Sequence, residues 1–398
     1  MTVEVSIRPE TAKPLTTQQE LRLLRRALAS SSASGKLRRR LASLMNANDE
    51  YDATIALLSG ADDLDFGETI TLALALLAQE TPEATRSARE MAERAFLLAE
   101  TDGERAEALA DKGKAQVRLG DDAAAASFTA ALKLNPHNKN ACKRLAALHL
   151  GRGDSQAVLA MTSELRARGA GHSRLFAAQA LALARAGDHA RSREVVGLDP
   201  FLTRLQMAPP PGWASIEAFN QALAAELAAH PGLRRDRYGS ASQLSWRIES
   251  PASDVAPLTT LLAQALADHV ERLIASHGAQ EHAWLEARPP AGILHSWCAI
   301  TEDVGYEDWH VHQFGWMSGV YYVSIPASVA GGEDLGGCIA FGLPDELAGK
   351  EGAEAFGVEL VRPREGLALF FPSHAYHRTF PHGANERRVC IAFDVWPR

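Results

Sequence analysis

Residues 309–322 read WHVHQFGWMSGVYY, and the fold is best read outward from them. His310 and His312 stand two apart, ahead of a β-prone run, Ser318-Gly-Val-Tyr-Tyr-Val-Ser-Ile325. In an extended chain residues i and i+2 share a face, so both imidazoles can converge on one point. A bound cation needs that convergence, and imidazole is a common ligand of iron, zinc and copper. The segment FPSHAYHRTFPHGANERRVCIAFDVW, residues 371–396, offers further histidines and two arginines. Short β-prone runs surround these motifs at Gly292–Ile300, Val320–Ile325, Cys338–Phe341, Gly366–Phe371 and Val389–Val395. With Gly- and Pro-rich turns between them and no helical pattern, they predict an antiparallel sandwich or barrel. The glycine-dense stretch 330–337, AGGEDLGG, reads as a surface connection able to close over a site.

The chain ahead of this region is of another kind. From about Thr16 to Gly197 it is rich in Ala, Leu, Arg and Glu, with apolar residues at three- and four-residue spacing. Gly-Asp pairs at Gly120-Asp121, Gly153-Asp154 and Gly187-Asp188 fall 33 and 34 residues apart, each between two helix-length stretches. That period resembles the tetratricopeptide repeat, a helix–turn–helix unit of 34 residues. Counted back from Pro136, the residues Ala124, Phe128 and Ala131 fall on its small–aromatic–small positions, and Ala157 and Met161 echo them. Stacked helical pairs form surfaces that often hold peptides, so a peptide or protein partner is expected beside a purely scaffolding role. The run Gln206-Met-Ala-Pro-Pro-Pro-Gly-Trp213 cannot continue a helix and marks the boundary. The expected division is therefore a helical-repeat domain, residues 1–205, and a β-domain, residues 206–398, opened by helices within 214–278.

The net charge of −8 argues against nucleic acid or an anionic membrane as partner. Cys142, Cys298, Cys338 and Cys390 form no CxxC pair, which suits a reducing cytoplasm. The first residues, MTVEVSIRPETAKPLTTQQ, lack an apolar core for a secretory signal, and no apolar run reaches membrane-spanning length.

The ordered set Trp297, His310-x-His312, Ser318-Gly-Val-Tyr-Tyr322, Gly366, Phe371-Pro-Ser373, His377 and Glu386-Arg-Arg-Val-Cys-Ile-Ala-Phe393 resembles the iron(II)- and 2-oxoglutarate-dependent oxygenases. It is most similar to a group that carries an SGvyYv strand after His-x-His and an FPSxxxH strand end. The resemblance covers about Phe219 to Arg398. It implies a double-stranded β-helix, with Fe(II), 2-oxoglutarate and O2, that hydroxylates a peptide or protein side chain or an amino-acid-like molecule. It also implies His310, His312 and His377 as metal ligands, with no catalytic residues beyond them. The residues alone leave Asp308-x-His310, His374 and His382 as competing ligands; the family pattern selects His377. The usual pair is His-x-Asp/Glu, whereas this chain has His-Val-His, so three neutral donors would leave the iron one positive charge richer.

The cosubstrate's far carboxylate calls for a bidentate cation. Strand parity puts Arg388, Cys390 and Ala392 on the smaller face and Val389, Ile391 and Phe393 on the bulky one. Arg388 is thus the expected clamp and Arg387 the solvent-facing neighbour. Tyr322 resembles the tyrosine that serves the same carboxylate in prolyl hydroxylases, and Trp297 and Trp316 are candidates for the substrate side. Two rival functions are a three-histidine, cupin-type metal dioxygenase without 2-oxoglutarate, and a non-enzymatic helical-repeat adaptor with a decayed β-domain.

Overall fold

A computed structural model of the protein describes residues 5–10, 15–30, 35–235, 241–277 and 280–398. The chain divides into two compact units, Leu15–Ala170, and Gly171–Arg398 together with the strand Ser6–Pro9. The sequence put the division at 205/206. The helical pair Ser173–Arg185 and His189–Val196 continues the repeat pattern but belongs to the sheet-bearing unit. Phe176 meets the His374 ring at 5.2 Å, and Arg193 donates to the carbonyls of Ala355 and Phe356.

The unit Leu15–Ala170 is helical, from Thr17–Ser30 to Ser155–Ala167. Its Gly-Asp pairs are the turns inside helical pairs, and both residues have a job. Gly120 (φ 69°) and Gly153 (φ 75°) take the left-handed conformation that lets a helix end without Cβ strain. The aspartate then opens the next helix: Asp154 accepts from the Ala157 N–H at 2.9 Å, and Asp121 from the Ala123 N–H at 2.9 Å. Gly187 (φ 85°) and Asp188 repeat the device in the other unit. Phe128 is fully buried against Gly113, where an added Cβ would lie 2.5 Å from its ring.

The other unit contains β1 (Ser6–Pro9), β2 (Thr203–Gln206), β3 (Arg234–Arg235), β4 (Ser242–Glu249), β5 (Ala291–Glu307) and β6 (Met317–Ser324). They are followed by β7 (Ile339–Phe341), β8 (Glu359–Val361), β9 (Leu367–Pro372), β10 (His377–Thr379) and β11 (Arg388–Pro397). One sheet runs β2-β9-β6-β11-β5-β4-β3, with β1 parallel to β5, and a second runs β10-β7-β8. This double-stranded β-helix carries the expected runs as β5, β6, β7, β9 and β11. Between the helices Ile216–Ala228 and Pro257–His277 the polar segment 243–247 lies in strand β4, where Trp246 and Ile248 pair with β5. The expectation of no helix among the strands fails: Ala327–Ala330, Asp345–Ala348 and Lys350–Phe356 are helical, each too short to show a period. The glycine-dense stretch is pinned, with Arg362 donating to the carbonyls of Val329 (2.8 Å) and Asp334.

Helices Ile216–Ala228 and Pro257–His277 cover one face of the large sheet. Phe219, Leu223, Leu266, Val270 and Ile274 pack there with Val389, Ile391 and Phe393 of β11. The opposite parity of the same strand is left facing the second sheet, and the cavity opens between the two. Among the described residues no helix is long and apolar enough to cross a membrane.

Candidate metal centre

His310 and His312 lie beyond the end of β5, in extended chain rather than in a strand. Backbone bonds fix them: His310 and His377 exchange N–H···O bonds of 3.0 and 3.1 Å, and the His312 N–H donates to the Ser373 carbonyl at 3.0 Å. The side chains then converge, with a donor atom from each of the three within 4.8 Å of the other two. Every Nδ1 is committed to an oxygen. His310 Nδ1 meets the Asp308 carbonyl at 2.7 Å, His377 Nδ1 the Ala375 carbonyl at 3.0 Å, and His312 Nδ1 the Asp394 carboxylate at 2.5 Å. That pattern makes Nδ1 the protonated nitrogen and leaves each Nε2 with a lone pair for a cation. His310 Nε2 and His312 Nε2 stand 3.2 Å apart. Burial, with the other two imidazoles adding to it, holds His377 well below the ordinary histidine range. Burial likewise lowers His310, against the opposing pull of Glu307, so both rings are neutral near pH 7.

Asp394, 5% exposed, supports this arrangement, and sequence reasoning missed it. The Ser318 hydroxyl donates to its Oδ1 at 2.6 Å and lies 2.6 Å from the Ser373 hydroxyl. The serines of Ser318-Gly-Val-Tyr-Tyr322 and Phe371-Pro-Ser373 thus hold the carboxylate that orients His312. Burial would raise the Asp394 carboxyl, but His312 and Ser318 hold it below the ordinary range. The available signal was parity: Asp394 continues the Arg388, Cys390, Ala392 face. Glu307, also missed, closes β5; its Oε2 lies 3.3 Å from His310 Nε2, and its Oε1 accepts from the Ser242 hydroxyl at 2.8 Å.

The cavity is lined by the three histidines with Trp297, Thr301, Glu307, Tyr322, Phe371 and Arg388 among others. Arg388, 5% exposed, sits with its guanidinium 5.3 Å over the Tyr322 ring. Arg388 Nε, Tyr322 Oη and Thr301 Oγ1 are buried without a well-formed hydrogen bond among the described residues. Arg388 and Thr301 face each other across β11 and β5. Tyr322 Oη has only a loose contact with the Arg388 guanidinium, and donors so poorly satisfied at one end of a cavity suit an anion, since such groups cost free energy unless a ligand satisfies them. Arg387 is exposed and paired with Glu302.

Trp297 reaches the cavity, but Trp316 does not, which corrects its reading as a substrate-side residue. It stacks on Trp284 at 4.3 Å, and each indole N–H donates to the other's carbonyl at 2.8 Å, inside the helix-facing core. Two of the competing histidines are engaged elsewhere: His374 Nε2 donates to the Val195 carbonyl, and His382 Nε2 lies against the Thr301 carbonyl. The reversed Asp308-x-His310 pair is not assembled either, because the Asp308 carboxylate accepts from the Trp309 N–H and is exposed.

Residues 295–394 match a family model described as "Putative 2OG-Fe(II) oxygenase". Comparison with curated proteins finds no match. Among solved structures, a Pseudomonas putida prolyl-4-hydroxylase is similar at 15% identity and TM-score 0.33, over 50% of this chain and 95% of its own. A Trichoplax adhaerens prolyl hydroxylase in complex with a hypoxia inducible factor peptide fragment is similar at 13% identity and TM-score 0.35, over 53% and 91%. YrrB, a TPR protein with an unusual peptide-binding site, is similar at 16% identity and TM-score 0.32, over 44% and 91%. The family's cofactors are Fe(II) and 2-oxoglutarate, and the residues present fit both: three imidazole lone pairs for a divalent cation, and orphaned cationic and hydroxyl donors for a dicarboxylate. The matched segment contains all of these residues.

Proposed function

We propose that the protein is an Fe(II)- and 2-oxoglutarate-dependent dioxygenase that hydroxylates a peptide or protein side chain, with an amino-acid-like small molecule as the second substrate class. The observation that carries this reading is the pairing of two features in one cavity. Three imidazoles turn lone pairs to a common point, and Arg388, Tyr322 and Thr301 leave buried donors unsatisfied. His310, His312 and His377 hold the cation, with Asp394 fixing the tautomer and tilt of His312. Arg388 takes the far carboxylate of 2-oxoglutarate as a planar fork, with the hydroxyls of Tyr322 and Thr301 beside it. When bound, iron and 2-oxoglutarate supply the oxidising power, with dioxygen consumed and the keto acid converted to succinate and carbon dioxide. Trp297, Val320, Ile339 and Phe371 wall the cavity and exclude water from the reacting centre. The helical repeats support a peptide substrate, because stacked helical pairs are surfaces of that kind. The four cysteines are free and buried, which supports a cytoplasmic setting.

Metal analysis combined with succinate release tests the reading. Iron-dependent succinate formation is expected in the parent, with no metal retained by His377→Ala. Arg388→Ala should keep the metal and weaken 2-oxoglutarate roughly 10- to 100-fold, the worth of a buried hydrogen bond to a charged group. Iron binding without 2-oxoglutarate turnover would favour a three-histidine dioxygenase of cupin type, and no metal at all a helical-repeat adaptor.

A further inference from the structure

We propose that the peptide substrate reaches the metal along a strip of aromatic rings on the cavity-side face of β5 and β11, its carbonyl oxygens accepting from the indole N–H groups of Trp297 and Trp396. The inference rests on the oxygenase reading above and says how its substrate is held. Trp297, 7% exposed, lines the cavity, and its ring stands 5.3 Å from that of His312. From there the rings continue outward. Trp297 meets His295 at 6.0 Å, His295 stacks on Trp396 at 4.1 Å, and Trp396 meets Phe314, 52% exposed, at 5.7 Å. Strand alternation puts Trp297 and His295 on the face of β5 that carries Thr301, and Trp396 on the face of β11 that carries Arg388 and Asp394. The strip thus begins beside a metal ligand and ends at solvent.

Trp297 Nε1 and Trp396 Nε1 are both buried with no acceptor among the described residues. A buried indole N–H normally finds a partner, and one left without costs free energy. Two of them on one strip point to a ligand that brings oxygen acceptors. The charged groups alongside are already engaged. Arg247, 4.9 Å over the Trp297 ring, pairs with Glu249 at 2.6 Å, and His295 Nδ1 meets the Glu10 carboxylate at 2.9 Å. What the strip has left to offer is neutral: ring faces and N–H donors. These suit backbone carbonyls and uncharged side chains better than an ionic ligand. The spacing agrees, since same-side carbonyls of an extended chain recur about every 6.8 Å. Two ring steps, of 6.0 and 4.1 Å, lead from Trp297 to Trp396, which leaves room for such a pair.

The test is succinate release by the full-length, iron-loaded protein, titrated with a library of short acetylated and amidated peptides built from uncharged residues. The library should raise release above the peptide-free rate. Trp297→Phe and Trp396→Phe keep a ring but lose the N–H. Each should raise the half-saturating peptide concentration roughly 3- to 10-fold, the worth of one neutral hydrogen bond. Arg387→Ala, a change at an exposed residue paired with Glu302, should leave it as in the parent. Cobalt(II) affinity and the visible ligand-field band of the bound ion, followed on each metal-stripped variant, guard against a folding defect, and either Phe variant alone suffices. The proposal is overturned if the peptides half-saturate the folded Phe variants within twofold of the parent, or if the library fails to stimulate a parent that releases succinate without it. It is overturned too if Trp297→Phe weakens 2-oxoglutarate as much as it weakens the peptides, since the indole would then serve the keto acid. A parent that forms no iron-dependent succinate, with or without peptides, sinks the oxygenase reading and takes this inference with it.

Discussion

At the residue scale, the support of His312 makes a sharper test of the site than the ligands themselves. Asp394→Asn keeps the shape but replaces a charged acceptor with an amide, so Nδ1–H loses its strongest partner and the ring its fixed tilt. Substitutions of this kind at ligand-orienting residues cost about 10- to 100-fold in metal affinity. A cobalt(II) titration of Asp394→Asn should show that loss with the parent's band position, since no ligand has been removed; undiminished affinity would deny Asp394 its role. Spacing and strand parity, which act within one segment, pointed to His310, His312 and Arg388, whereas His377 came from the family resemblance alone. Sequence reasoning could not place Thr301 or Glu307, whose relevance depends on what the fold sets beside them: Thr301 matters because β11 sets Arg388 opposite it, and Glu307 because its Oε2 comes to 3.3 Å from His310 Nε2. Trp316 went astray for a related reason. An aromatic residue at the edge of a β-prone run has the same local pattern whether it lines a cavity or fills a core.

At the element scale, Gly319 shows how tightly β6 is clamped. A Cβ there would lie 2.2 Å from the Phe393 ring and 2.3 Å from the Leu369 carbonyl oxygen, and the latter is backbone that cannot swing away. Gly319→Ala should therefore cost at least the ~1–3 kcal/mol typical of overpacking, read as a lower denaturation midpoint with an unchanged slope. In the helix Asp102–Arg118, Asp111 is 7% exposed, and burial pushes its carboxyl up to about 7 from 3.8. The folded state thus keeps a proton that the unfolded chain releases near pH 4. Between about pH 4 and 7 the folded state binds more protons, so this group's contribution to stability falls as pH rises and levels off above 7. Lys114, lowered by burial to about 8, acts in a separate window above that pH. Asp111→Asn should flatten the decline, and near pH 8 should be more stable than the parent by up to about 4 kcal/mol, the ceiling set by the shift. Thermal unfolding of both proteins from pH 4 to 8 checks it; parallel pH profiles would remove Asp111 as the cause.

At the scale of the whole molecule, the connectivity decides which pieces can stand alone. The chain begins in the sheet-bearing unit with β1, leaves to build the helical unit Leu15–Ala170, and returns at Gly171. Helical periodicity could not reveal that return, because it reports what kind of element a segment forms and is blind to which partner buries it. The pair Ser173–Arg185 and His189–Val196 has the period of the repeats ahead of it, yet Arg185 donates to the Leu347 carbonyl and His374 to Val195. Phe201, 2% exposed, sits among His277, His282 and Trp284, and β2 pairs with β9. A fragment cut at the sequence boundary, residues 206–398, would lose all of this and expose the apolar ground of Trp284 and the edge of β9, an invitation to aggregate. A fragment of residues 171–398 keeps it but gives up β1 with Ile7 and the Glu10–His295 pair. We therefore expect 171–398 to be monomeric in gel filtration and to bind cobalt(II) like the parent, melting several degrees lower for want of β1. The shorter fragment should be insoluble or aggregated under the same conditions. A monomeric 206–398 with the cobalt(II) affinity and melting temperature of 171–398 would move the boundary back to the prolines and leave the returning helices without a structural role.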